Sequence, residues 1–273
     1  MEVNSSTNKW MLKWGKPRHL DEYYVKVTYP DATEETLPQH VKDWLSNIVR
    51  VQASEISEDA QVARVTGKKD ADGNPMGMFA EGELLWHSNE SGNLVFTPGV
   101  ALLGVEGTVG TCTGFLTTTD WYEDQSEAFR SELDEMVLLH KFTPGKINPG
   151  LREEQDDIMR RNMCPKDSEL PLVCLSPNGT KGLHYSVNTI DSIKGMSAEE
   201  SKKVFDYIDK TLFVDKYMYD HWYQQNNDLL LFDNSITLHR RLGEVANRLC
   251  YRIQYDYINL AKDDNRYLLE PYA

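Results

Sequence analysis

The feature that most restricts the fold is the run Arg248-Leu249-Cys250-Tyr251-Arg252-Ile253-Gln254-Tyr255, in which two sets of side chains alternate. A period of two places alternate residues on opposite faces of a β-strand, so Arg248, Cys250 and Arg252 share one face. Further strand-like runs lie at residues 60–66, Val95 to Glu106 (broken by a Pro-Gly pair), Gly107 to Thr119, Leu172 to Ser176, Gly182 to Asn188 and Asp228 to Phe232. The Gly/Thr-rich run suits a strand that a ligand approaches closely. Apolar residues at helical spacing predict helices over Pro38 to Val51 and over Ser126 to Leu139. Ser197-Ala198-Glu199-Glu200 is a capping box that opens a third helix, to about Leu212. Asp70 to Pro75 and Pro177 to Thr180 read as turns. Many short strands with few helices fit an antiparallel jelly roll, mainly β with flanking helices, better than a parallel α/β sheet. The expectation is a single domain over 1–273, with an N-terminal arm (about 1–30) and a lid insertion in the long polar stretch of about 141–171.

Charge removes several partners. The chain has 29 basic and 43 acidic residues, a net charge of −14, and binding to nucleic acid or an anionic membrane needs clustered Lys and Arg. A small-molecule substrate remains. Met1 to Gly15 lacks the apolar run of a signal peptide, and no stretch is as apolar as a transmembrane helix. Cys112, Cys164, Cys174 and Cys250 are scattered without a Cys-x-x-Cys pair, as in a reduced, cytoplasmic protein.

Two stretches carry chemistry, and they lie more than half the chain apart. The first is Gly82-Glu83-Leu84-Leu85-Trp86-His87-Ser88-Asn89-Glu90-Ser91, and the second is Asp228-Leu229-Leu230-Leu231-Phe232-Asp233-Asn234-Ser235-Ile236-Thr237-Leu238-His239. On a continuing strand His87 and Asn89 would share a face and could meet one bound atom, while Glu90 would point to the other face. Two histidines and one oxygen donor on one side of a metal leave open positions for other ligands. A lone buried histidine is commonly a core residue; two at the ends of strand-like runs make a metal pair the stronger reading.

Together these stretches resemble the TauD/TfdA-like family of Fe(II)- and 2-oxoglutarate-dependent dioxygenases. That family reads Trp-His-Thr/Ser-Asp at the first site and Asp-x-x-x-Trp-Asp-Asn-x-x-x-x-His at the second. The likeness extends over about Val62 to Asn259, and it implies a double-stranded β-helix fold, Fe(II), 2-oxoglutarate and O₂. It also implies metal ligation by His87, Asn89 and His239, with Asn89 standing where the family has Asp. An amide offers a neutral dipole where a carboxylate offers charge, so three readings stay open. Asn89 ligates in a working enzyme, or it stands beside a two-histidine iron as in halogenating relatives, or the protein binds 2-oxoglutarate or substrate without oxidising it.

By the same resemblance Arg248 holds the distal carboxylate of 2-oxoglutarate, helped by Thr113, with Thr111 as the alternative. Arg252, Glu83, Asn188 and His184 take substrate-side roles. The implied activity is hydroxylation of a small polar metabolite, an amino acid or a sulfonate, with release of succinate and CO₂. Relatives commonly self-associate, so a homo-oligomer is within the expectation.

Overall fold

The computed structural model describes residues 24–28, 63–77, 84–92, 98–141, 167–176, 180–226, 228–243 and 246–255. The helix expected over 38–51, most of the N-terminal arm, Glu83, the turn at 177–179 and the lid over 142–166 lie outside them.

Fourteen strands and three α-helices are described. The strands are β1 (Tyr24–Thr28), β2 (Ala63–Thr66), β3 (Leu84–His87), β4 (Gly99–Glu106), β5 (Cys112–Thr117), β6 (Val137–His140) and β7 (Ser168–Pro171). Then follow β8 (Val173–Leu175), β9 (Lys181–Leu183), β10 (Ile190–Ile193), β11 (Met218–Trp222), β12 (Asp228–Asp233), β13 (Thr237–Leu242) and β14 (Leu249–Tyr255). The helices are α1 (Thr118–Asp124), α2 (Glu127–Asp134) and α3 (Ala198–Leu212).

The alternating run becomes β14, inside a five-stranded sheet of order β1-β12-β4-β14-β2. A four-stranded sheet of order β11-β5-β13-β3 faces it. All pairings within both sheets are antiparallel. The two sheets meet through aromatic rings: Phe115 of β5 packs edge-on against Phe232 of β12, and Phe232 also touches the His239 ring, each at 5.0 Å between centroids. Val100, Leu102, Tyr223, Leu230 and Cys250 complete this inner core. The architecture is a jelly roll, as the strand pattern predicts.

Alternation along the four-stranded sheet sends neighbouring residues to opposite sides. Phe115 and His239 face the other sheet, while Trp86, Leu116 and Leu238 join a second core. That core takes Trp121 and Tyr122 from α1, Ile208 and Leu212 from α3, and Leu138 from β6. The helices therefore brace the outer face of the sheet that carries both histidines. Ser197 caps α3 with the complete capping box read from the sequence.

Three local expectations change. The helix beginning after Ser126 ends at Asp134, because Val137 to His140 pair with β7 and β10; cross-strand hydrogen bonds outweigh the helical spacing of Met136 and Val137. The β-branched run Thr117-Thr118-Thr119 ends a strand and opens a helix, with the Thr117 hydroxyl accepting from the Asp120 N–H. The strand expected over 182–188 is only Lys181–Leu183, after which Val187 to Thr189 turn. Gly114 is indeed crowded, but by neighbouring strands on the outer face: an added Cβ would lie 2.6 Å from Asp220 Oδ1 and 3.0 Å from Arg240 Cγ. Among the described residues no helix is long and apolar enough to cross a membrane.

Candidate active site

The two histidine stretches converge. His239 on β13 and His87 on β3 are directly opposed across the strand pair, and the register breaks immediately beyond them. Their rings lie 4.2 Å apart between centroids, tilted by 46°. The Leu85 carbonyl sits 2.7 Å from His87 Nδ1, which places the proton there and leaves the lone pair on Nε2. On His239 the Nδ1 atom is buried without a hydrogen-bond partner among the described residues. Burial pushes His87 down to about 4, and burial with His87 alongside holds His239 well below the usual histidine range. Both rings are thus neutral near pH 7, the form in which imidazole ligates a metal.

Asn89 reaches this neighbourhood by a different route from the one its spacing suggests. β3 stops at His87, and residues 89–92 form a turn, so strand alternation governs neither Asn89 nor Glu90. Glu90 takes the left-handed conformation at φ 61°, a conformation few non-glycine residues adopt, and its charge acts on Arg252 rather than being turned away from the site. Asn234, from the second motif, clamps the turn. Its Oδ1 accepts from the Asn89 N–H at 2.8 Å, and its Nδ2 donates to the Asn89 carbonyl at 3.1 Å. The Asn89 side-chain Nδ2 is buried with no hydrogen-bond partner among the described residues; an amide turned over would present its oxygen there. Among the described residues no three His, Cys, Asp or Glu side chains gather as a metal-ligand group, because the third position is an amide.

A cationic seat lies on the same inner face. Arg248 is 3 % exposed; its Nη2 donates to Thr113 Oγ1 at 3.2 Å and its Nε to Cys250 Sγ at 3.0 Å. The guanidinium also covers the Tyr223 ring at 5.2 Å, and Tyr223 and Thr113 hydroxyls are 3.3 Å apart. Nη1 of Arg248 is buried without a hydrogen-bond partner among the described residues. Thr111 is committed elsewhere, since its hydroxyl donates to the Thr108 carbonyl at 2.7 Å, so Thr113 is the threonine that meets Arg248. Arg252 lies close enough to depress both histidines electrostatically, and its Nε is buried and unpartnered.

The remaining candidates divide. His184 is buried and one ring nitrogen meets the Ser91 carbonyl, tying β9 to the 89–92 turn. Asn188 is buried with Oδ1 unpartnered. Nothing is described of Glu83. Three residues of this pocket escape a reading of the sequence. Tyr223 carries no local signal. Asn234 stands inside the quoted motif without an evident task. Arg241 had a signal, since it follows His239 by two and so shares its strand face.

Solved structures of the same fold include the following two. A taurine dioxygenase from Burkholderia xenovorans is 19% identical with a TM-score of 0.63, over 85% of this chain and 76% of that one. AAD-2, solved in complex with Mn(II) and N-oxalylglycine, is 18% identical with a TM-score of 0.62, over 85% and 82%. No curated protein matches by sequence. A family model, taurine catabolism dioxygenase TauD, TfdA family, matches residues 45–254. With more than half of its length matched by that model, the chain belongs to the TauD/TfdA family of Fe(II)- and 2-oxoglutarate-dependent dioxygenases.

Proposed function

We propose that this pocket hydroxylates a small polar metabolite, an amino acid or a sulfonate, with 2-oxoglutarate as co-substrate, in a reducing, cytoplasmic compartment. One observation carries the reading: His87 and His239 are opposed across β3 and β13 with rings 4.2 Å apart, each neutral. The donor set suits Fe(II). His87 would ligate through Nε2, His239 has a buried nitrogen awaiting a partner, and Asn89 would add an amide oxygen. Bound iron and co-substrate supply O₂-driven oxidation of a C–H bond coupled to conversion of 2-oxoglutarate into succinate and CO₂.

The chain's own part is positional. Arg248, held by Thr113 and stacked on Tyr223, would grip the distal carboxylate through its unpartnered Nη1. A guanidinium remains charged when buried, which makes it a better anchor than lysine there. Arg252, beside both histidines, would take an acidic group of the substrate. Phe115 and Phe232, buried edge-on against each other with Phe232 beside the His239 ring, would help keep water from that side of the site.

A second reading rests on Asn89. With a neutral amide in place of a carboxylate, the protein would bind the keto diacid without oxidising it. Anaerobic Fe(II) titration followed by O₂ separates the two. Stoichiometric iron and succinate release support the dioxygenase, whereas diacid binding without succinate supports the binding protein. Absence of both metal and diacid binding would end both readings, and a halide-dependent product would mark the halogenating variant.

A further inference from the structure

The inner face of the four-stranded sheet is arranged in rows, and the row beyond the histidines holds a second buried arginine. In one row His87, His239 and Phe115 are cross-strand neighbours. Two residues further along β13, about 7 Å away, Arg241 stands directly opposite Thr113 on β5, and Thr113 stands opposite His221 on β11. Directly opposed residues in an antiparallel pair share a face. Arg241 therefore belongs to the row containing the Thr113 hydroxyl to which Arg248 donates.

Arg241 is 4 % exposed and Arg248 3 %. A guanidinium stays charged when buried, so both are cations at neutral pH. Like charges buried side by side repel, and an anion placed between them relieves that repulsion. Arg248 keeps one terminal nitrogen buried and unpartnered, as such an anion would require. A carboxylate has two oxygens and about four acceptor directions, enough for two guanidinium groups and a hydroxyl.

We propose that Arg241 is a second positioning residue for the co-substrate: with Arg248 and Thr113 it forms a two-guanidinium seat for the distal carboxylate of a keto diacid. This rests on the dioxygenase reading above and deepens it. The seat selects 2-oxo acids with a second carboxylate over 2-oxo acids without one.

The test compares anaerobic binding of 2-oxoglutarate and of 2-oxobutanoate, which lacks the distal carboxylate, to the Fe(II)-loaded protein. Wild type should prefer the diacid strongly. Arg241→Leu should lose about tenfold or more of its affinity for the diacid, with affinity for the monoacid unchanged. An equal loss for both acids would show that Arg241 only holds the strand in place, and would overturn the proposal. Should the leucine variant fail to fold, Arg241→Gln, which keeps a polar chain without the charge, decides by the same ratio. Failure of wild type to bind 2-oxoglutarate, or to prefer it, would instead overturn the proposed function itself.

Discussion

The two faces of the four-stranded sheet are one residue apart along each strand and behave as different materials. On the outer face Trp86, Leu116 and Leu238 are buried against α1, α3 and β6. Its polar pair, Arg240 and Asp220, find each other at 3.6 Å, with Arg240 lying over the Trp86 ring at 4.3 Å. The inner face carries His87, His239, Thr113 and Arg241 across from Arg248 and Arg252 on the other sheet's side of the roll. Among the described residues, buried polar atoms without hydrogen-bond partners occur here on His239, Arg248 and Arg252; those on the outer face, Asp220 Oδ1 and Arg240 Nε, belong to the ion pair, whose side chains are about a third and a quarter exposed. Native proteins rarely leave buried polar atoms unmet without a reason. The outer face is filled by apolar packing and an ion pair that reaches solvent, whereas the polar groups of the inner face are enclosed.

Adjacent residues on β13 give the sharpest contrast. His239→Ala should abolish stoichiometric iron binding and reduce succinate release by roughly 10³-fold, about 4 kcal/mol, while the thermal midpoint stays near wild type. Leu238→Ala, its neighbour on the other face, should cost about 2–5 kcal/mol of stability by leaving a cavity, with iron stoichiometry in the folded protein intact. If thermal melts and iron titrations showed the two variants with the same profile, the division between the faces would fail.

A pH experiment probes the turn that leads from β12 into β13. Asp233, at the end of β12, is buried; the Ser176 hydroxyl donates to its Oδ2 at 2.5 Å and the Ser235 N–H to its Oδ1 at 2.7 Å. Burial raises it to about 6, from 3.8 for the free side chain, against the hydrogen bonds that lower it. The folded state thus holds this proton more tightly than the unfolded one. Its contribution to stability is complete below about pH 4 and is lost as pH rises through 6. The stability difference between Asp233→Asn and wild type, measured by denaturant titration, should therefore shift by on the order of 2–3 kcal/mol in favour of the variant between pH 4 and pH 7.

The smallest expected effect falls on the inner face. Asn89→Asp should tighten Fe(II) binding about tenfold, about 1.4 kcal/mol, because a charged oxygen replaces an amide dipole. In metal-free protein the same change buries an unpaired carboxylate and should lower the thermal midpoint, which Fe(II) then restores. Weaker iron binding in the variant would mean that residue 89 is no ligand.

How much of this was legible beforehand follows from the range of the signals. The jelly roll, the histidine pair and the shared face of Arg248 and Arg252 rest on period-two alternation and short motifs, which a linear chain displays openly. The capping box at Ser197 is equally local and was readable to the residue. The end of α2 was not, because the competing hydrogen bonds of Val137 to His140 come from residues 168–171 and 190–193.

The site divides along the same line. Its residue types and the amide at position 89 were settled by the amino-acid order alone. Tertiary structure decided that Asn89 sits in a turn clamped by Asn234, that Thr113 rather than Thr111 meets Arg248, and that Arg241 stands opposite Thr113. Each of these depends on cross-strand register and on which groups lose water together. Register and burial arise only when strands distant in sequence pack, so no window of the sequence could carry them.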